Sequence, residues 1–190
     1  LVGIGGMGSV HFDAYLKSDK CKLVAVADVR SDMAKEKVKG MDINIYSGID
    51  ELLENEELDV IDICAPSYLH ADMSIKALEN GINVLCEKPM TLSTQDAERV
   101  IKTVKKTGKK FMVAHVVRFM SAYSYLAEAL KSDRNGKLLS LDMKRLSTTP
   151  TWTWEDWMRD IEKSGGAPID LSIHDIDLVQ SVLGMPDEVS

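Results

Sequence analysis

Long apolar runs are missing from this 190-residue chain, and none approaches the ~20 residues that a membrane-spanning helix requires. No charged-then-apolar leader stands before the first glycine-rich motif, so a cytoplasmic location is expected. Cysteine is scarce. Cys21, Cys64 and Cys86 are odd in number and lack metal-ligand spacing, and two of them fall inside apolar runs that read as core strands. A disulfide-stapled scaffold is excluded, and reduced thiols are expected. Basic residues are outnumbered, 23 against 30 acidic for a net charge of −7, and they are scattered apart from KKTGKK at 105–110. That run reads as the solvated end of a helix and the loop after it, which argues against a nucleic-acid surface. There is no internal repeat and no low-complexity tract.

What is present is a 45% hydrophobic chain, enough for a sizeable core. Short β-branched runs (LVGI at the start, KLVAVAD at 22–28, INIY at 43–46, DVIDICA at 59–65, INVLCEK at 82–88 and KFMVAH at 110–115) alternate with the helical patterns GSVHFDAYLKS, DMAKEKV, IDELLEN, YLHADMSIKALEN and TQDAERVIKTVKK. Strict alternation predicts parallel strands joined by helical crossovers, a doubly wound α/β domain over residues 1–118. Ser93 with Asp96 predicts an N-terminal cap, and Gly81 and Gly108 predict helix stops. From residue 119 the rhythm changes. FMSAYSYLAEALKS (119–132) reads as a helix, Asn135-Gly136 as a turn and KLLSLDMKRLST (137–148) as a long alternating strand, which together predict the start of a second domain over 119–190. The segment 149–168, which holds Trp152, Trp154 and Trp157, reads as a loop with one helical turn, of a length that usually covers a site. LVGIGG starts inside a strand and PDEVS stops where another would begin, so the chain is expected to be a fragment.

Three groups of residues carry chemistry. Gly3, Gly5 and Gly8 in GIGGMG, with Gly6 and Met7 between them, follow a strand and open a helix, so that a pyrophosphate can approach free N–H groups at the helix N-terminus. Asp28 ends the next strand 20 residues past Gly8, where a carboxylate accepts from the hydroxyls of an adenosine ribose. The pair points to dinucleotide binding, with NAD favoured because an acid repels a 2′-phosphate. Arg30 nearby offsets that charge and keeps NADP open. APSYLH, with Ala65, Pro66, Ser67 and His70, and CEKP, with Glu87 and Lys88, lie at the carboxyl ends of strands, where open α/β sheets bind ligands. Lys88 reads equally as an ammonium that polarises a substrate oxygen and as a surface lysine at a strand end. Asp170 and His174 stand four apart, as neighbours on one helical face, where the carboxylate would raise the imidazole pKa and suit it to general-base work. A helix cap, a structural hydrogen bond and a metal phosphohydrolase compete with that reading. The last needs further histidine ligands, and His11, His70 and His115 are not spaced as a ligand set, so no metal is expected.

GIGGMG, VADVR, DICAPSYLHADMSIKALENGINVLCEKPM, VVRF and SGGAPIDLSIHDIDL together resemble the Gfo/Idh/MocA family of nicotinamide-dependent oxidoreductases, across nearly the whole chain. The resemblance implies a Rossmann domain followed by a domain built on a large, mostly antiparallel sheet that mediates dimers or tetramers, most of it beyond Ser190. It implies that Lys88 contacts the substrate hydroxyl and the nicotinamide ribose, that Asp170 and His174 bind substrate with His174 as proton acceptor, and that Arg118 lies near the cofactor. A dehydrogenase acting on a polyol, inositol or sugar-like hydroxyl is the expected activity, with Trp152, Trp154 or Trp157 as an apolar platform for the sugar face. Two other classes compete: a non-catalytic NAD-dependent sensor, which would tend to lose the lysine or the histidine, and a glycosidase that uses NAD transiently.

Overall fold

The computed structural model describes residues 1–132, 136–148, 150–151 and 153–189. Strand β1 (Ala25–Ala27) pairs in parallel with β2 (Asn44–Tyr46), and β3 (Val60–Ile63), β4 (Asn83–Glu87) and β5 (Phe111–Ala114) form a parallel ladder in that order. The first residues join the two halves. Val2 bridges both Ala27 and Ile63, its N–H donating to the Asp62 carbonyl (2.8 Å) while its own carbonyl accepts from Cys64 (2.8 Å). The LVGI segment therefore sits between β1 and β3, and connections run outward from it in both directions. That reversal opens a crevice at the carboxyl ends of the strands.

Helices α1 (Gly6–Lys17), α2 (Ser31–Lys37), α3 (Ile49–Asn55), α4 (His70–Glu79) and α5 (Thr94–Thr107) make the crossovers. The period-2 alternation of the strands divides the core into two layers. Leu1, Ile4 and Val26 pack with Phe12 of α1 and with Ala34 and Val38 on one face. Val2, Ala25, Ala27, Ile61, Ile63, Val84 and Cys86 pack with α3, α4 and α5 on the other. Asp62, between Ile61 and Ile63, necessarily points to the α1 side. The Ser93 hydroxyl accepts from the Asp96 N–H (3.1 Å), and Gly108 closes α5 in the left-handed region at φ +67°, both as the sequence predicts.

The second part differs from expectation in three ways. After α6 (Ser121–Lys131), residues 137–148 form no strand. An extended segment becomes a strand only against a partner, and no other strand lies among the described residues beyond Ala114. The expected Asn135-Gly136 turn falls partly outside the described residues, as does Trp152. The 149–168 segment holds more helix than one turn: a 3₁₀ segment (Trp154–Arg159), then α7 (Ile161–Ser164), capped by the Asp160 carboxylate on the Glu162 N–H (3.0 Å) and closed by Gly165 at φ +73°. The expected single helix through Asp170 and His174 is broken into α8 (Gly166–Asp170) and α9 (Ile173–Leu183). At the break the Asp170 carbonyl, which would continue the helical ladder, instead accepts from Lys88 Nζ (2.8 Å), 82 positions earlier in the chain.

Candidate active site and cofactor cleft

The crevice, open to solvent and with a cavity volume of about 190 Å³, brings the glycine loop, Asp28, Arg30, the Ala65–Ser67 turn, Glu87, Lys88 and Asp170 into one cleft. Gly3, at φ +82°, has its backbone against Cys64; a Cβ there would lie 2.7 Å from the Cys64 carbonyl oxygen. At Gly8 a Cβ would lie 1.9 Å from the Gly3 carbonyl oxygen. Only glycine lets α1 start so close to the strand. The helix begins after Gly5 with no side-chain cap and no acidic residue in its first turn, so its leading N–H groups and positive dipole end face the cleft. These features fit a dinucleotide pyrophosphate.

Asp28 is buried and fully engaged. It accepts from the backbone N–H groups of Ile4 and Arg30 (2.8 Å each) and from Arg30 Nε (3.2 Å). Burial works against its charge, but the Arg30 side chain and the two backbone donors outweigh it and hold the carboxyl below the usual carboxylate range. Arg30 in turn lies under the Trp154 ring, 5.9 Å from its centroid, so Trp154 stands at the Asp28 end of the cleft. Asp28→Ala removes the charged acceptor and leaves Arg30 free for a 2′-phosphate. Weakening of NAD binding by about tenfold or more, with a narrowed NAD-over-NADP preference, is the result expected from parallel fluorescence titrations.

At the carboxyl end of β4, Lys88 Nζ donates to Asp170 Oδ1 (2.9 Å) as well as to its carbonyl, in a pair largely shielded from solvent. Asp170 thus serves the lysine; the expected pairing of Asp170 with His174 is not what forms. Nδ1 of His174 is buried without a hydrogen-bond partner among the described residues. Its pKa is lowered, first by burial and then by the positive charges of Lys88 and Arg145, where the sequence predicted a rise. Such an imidazole is neutral at neutral pH and free to accept a proton.

Two expected cofactor contacts lie elsewhere. The buried His70 ring spans the Pro89 carbonyl (Nδ1, 2.7 Å) and the Ala65 carbonyl (Nε2, 2.8 Å), tying together the two loops that wall the cleft. Arg118 is held in a two-point pair by Asp177, with Nε 2.7 Å from Oδ2, and is not among the cleft-lining residues. Asp175 takes Arg145 in the same way (2.6 and 3.0 Å). Trp157, one of the three tryptophans expected as a platform, lines the cleft; sequence reasoning missed Met158 beside it, and a polar cluster of His11, Tyr15, Asp62 and Cys64 beneath Glu87. The one available signal was Asp62, an acid inside the apolar run DVIDICA.

Residues 1–115 match the family described as "Oxidoreductase family, NAD-binding Rossmann fold", and residues 127–190 match "Oxidoreductase family, C-terminal alpha/beta domain". The chain is 32% identical to 2,7-anhydro-N-acetylneuraminate hydratase of Mediterraneibacter gnavus, over 100% of this chain and 51% of that protein. It is also 32% identical to scyllo-inositol 2-dehydrogenase (NAD(+)) of Bacillus subtilis, over 97% of this chain and 53% of that protein. The solved structure of myo-inositol 2-dehydrogenase from Lactobacillus plantarum superposes with a TM-score of 0.78 at 27% identity, covering 96% of this chain and 55% of that one. The chain spans about half the length of the curated relatives it matches. No helix among its described residues is long and apolar enough to cross a membrane. With the glycine loop, Asp28, Glu87, Lys88 and Asp170 gathered on one cleft, the chain belongs to the Gfo/Idh/MocA family of oxidoreductases, with an NAD-binding Rossmann domain at its N-terminal end.

Proposed function

We propose that the protein is an NAD-dependent dehydrogenase acting on a hydroxyl of a polyol, inositol or sugar-like substrate. The observation that carries this reading is the meeting of Lys88, held by Asp170 at the carboxyl end of β4, with a half-buried His174 whose Nδ1 has no partner among the described residues and whose proton affinity is depressed by burial and then by the lysine's charge. When bound, NAD supplies the hydride acceptor. Lys88 donates a hydrogen bond to the substrate oxygen and favours its negative character as the proton leaves. His174, neutral at working pH, accepts that proton. Asp170 fixes the ammonium through both its carboxylate and its carbonyl, so that the donor is in place before substrate arrives. Trp157 and Met158 line the cleft, and their apolar side chains help exclude water.

The dehydrogenases of inositol among the relatives support the substrate class, and the retained lysine and histidine speak against a sensor that only binds cofactor. The protein is further proposed to be cytoplasmic, with a domain boundary near residue 118, and to assemble as a dimer or tetramer through its C-terminal part. A panel of inositols, polyols and sugars offered with NAD and NADP in parallel tests the activity. Net formation of NADH with at least one of them is expected; formation of NADPH alone would overturn the cofactor assignment.

A further inference from the structure

The polar cluster under Glu87 has no part in the cleft chemistry described so far. Alternation along β3 and β4 puts Asp62, Cys64 and Glu87 on the α1 face of the sheet, where His11 meets them. His11 Nδ1 lies 2.7 Å from Asp62 Oδ2, and Nε2 lies 3.1 Å from Glu87 Oε1. Carboxylates accept only, so both ring nitrogens must donate. Tyr15 adds its hydroxyl to Asp62 Oδ2 (2.6 Å), and the Cys64 sulfur lies 3.4 Å from Nδ1. On its other oxygen, Glu87 accepts the backbone N–H of Lys88 (3.0 Å). A continuous chain of hydrogen bonds thus runs from α1 through β3 to the lysine. The same His, Asp and Cys atoms lie close enough together to suggest a metal. Their spacing decides against it: bonds of ~2.0–2.3 Å in a tetrahedral site would set the donors about 3.3–3.7 Å apart, whereas the histidine and aspartate are at hydrogen-bond distance.

We propose that His11 is a positioning residue, a doubly donating imidazole pinned between Asp62 and Glu87 that fixes Glu87 and so sets the backbone turn presenting Lys88 to Asp170. The groups facing it from every side are Asp62 and Cys64 from β3 and its end, Glu87 from β4 and Tyr15 from its own helix. The hydrogen bond with Asp62 does most to push its pKa up, to about 12, with Cys64 and Glu87 adding to the rise and burial opposing it. The role in turnover rests on the dehydrogenase reading, whereas the protonation state does not.

Two measurements on the full chain separate the possibilities. Nitrogen-15 NMR of labelled histidine is expected to show both His11 ring nitrogens protonated at about pH 9, far above the ordinary histidine value of ~6.5. A neutral His11 ring there would overturn the proposal, whether or not any substrate is found. In turnover, His11→Gln and Glu87→Gln are each expected to lower kcat roughly tenfold or more, the scale of one charge-assisted hydrogen bond, with NADH affinity nearly unchanged in His11→Gln. The double variant should lose no more than the worse single, because both act through one chain. Additive losses, or an unchanged kcat in His11→Gln, would overturn it while leaving the dehydrogenase reading intact. If His11→Gln does not fold, Asp62→Asn serves instead: loss of the second ring proton by about pH 9 with lowered kcat is expected, and unchanged kcat would count against the proposal.

Discussion

Alanine in place of His174 is expected to lower turnover by ~10²–10⁴, the usual cost of removing a general base, while NAD affinity barely moves. The reasoning starts from the broken helix. Because the Asp170 carbonyl turns to Lys88, α9 begins afresh at Ile173 and sets the His174 ring partly buried beside two cations. Burial and those charges lower its pKa, so the neutral base predominates at neutral pH and the rate should fall only when the medium becomes acid enough to protonate it. In the alanine variant that acid limb of the kcat/KM profile should vanish along with most of the rate. A variant that keeps full activity and the same acid limb would remove His174 from the mechanism. Lys88→Met, which keeps the stem and removes the ammonium, should lower kcat on a comparable scale and leave the partly buried Asp170 carboxylate without its cation.

Gly8→Ala is expected to be as severe for cofactor binding. The new Cβ would stand 1.9 Å from the Gly3 carbonyl oxygen, a backbone atom that cannot swing away as a side-chain tip could. Helix α1 must then move off the first strand, at a cost typical of overpacking, ~1–3 kcal/mol, and its leading N–H groups move off the pyrophosphate position. Losing well-aimed donors to a charged group, worth ~1.5–3 kcal/mol each, corresponds to roughly 10–100-fold weaker binding per donor. A fluorescence titration with NADH, run beside a thermal melt, separates the two effects. A variant that melts lower but binds NADH as tightly as the parent would show that the close approach of helix and strand serves packing alone.

Some of this was readable before any coordinates. Gly3, Gly8 and Asp28 announce the cofactor cleft because their chemistry is local: a turn, a close approach and a strand end within one βαβ unit. Ser93 and Gly108 mark the ends of α5 for the same reason. The failures are all non-local. Residues 137–148 have strand alternation but no partner among the described residues, and alternation alone forms no ladder. The spacing of Asp170 and His174 suits one helix face, yet a lysine 82 positions earlier takes the carbonyl on which that helix depends. Arg118 stands beside the family motifs and still turns to Asp177, 59 positions later in the chain. His11, three residues past Gly8, reads as an ordinary helix position until β3 and β4 align Asp62 and Glu87 on either side of it.

The most direct test of the account follows the hydride itself. An inositol or polyol that proves active in the panel is prepared with deuterium on the carbon bearing the reacting hydroxyl, and the reduced cofactor is recovered after turnover. The account predicts stoichiometric NADH carrying that deuterium at C4 of the nicotinamide, with a ketone as the other product. Conversion of substrate with no net NADH, as a glycosidase that uses NAD only transiently would give, would contradict it.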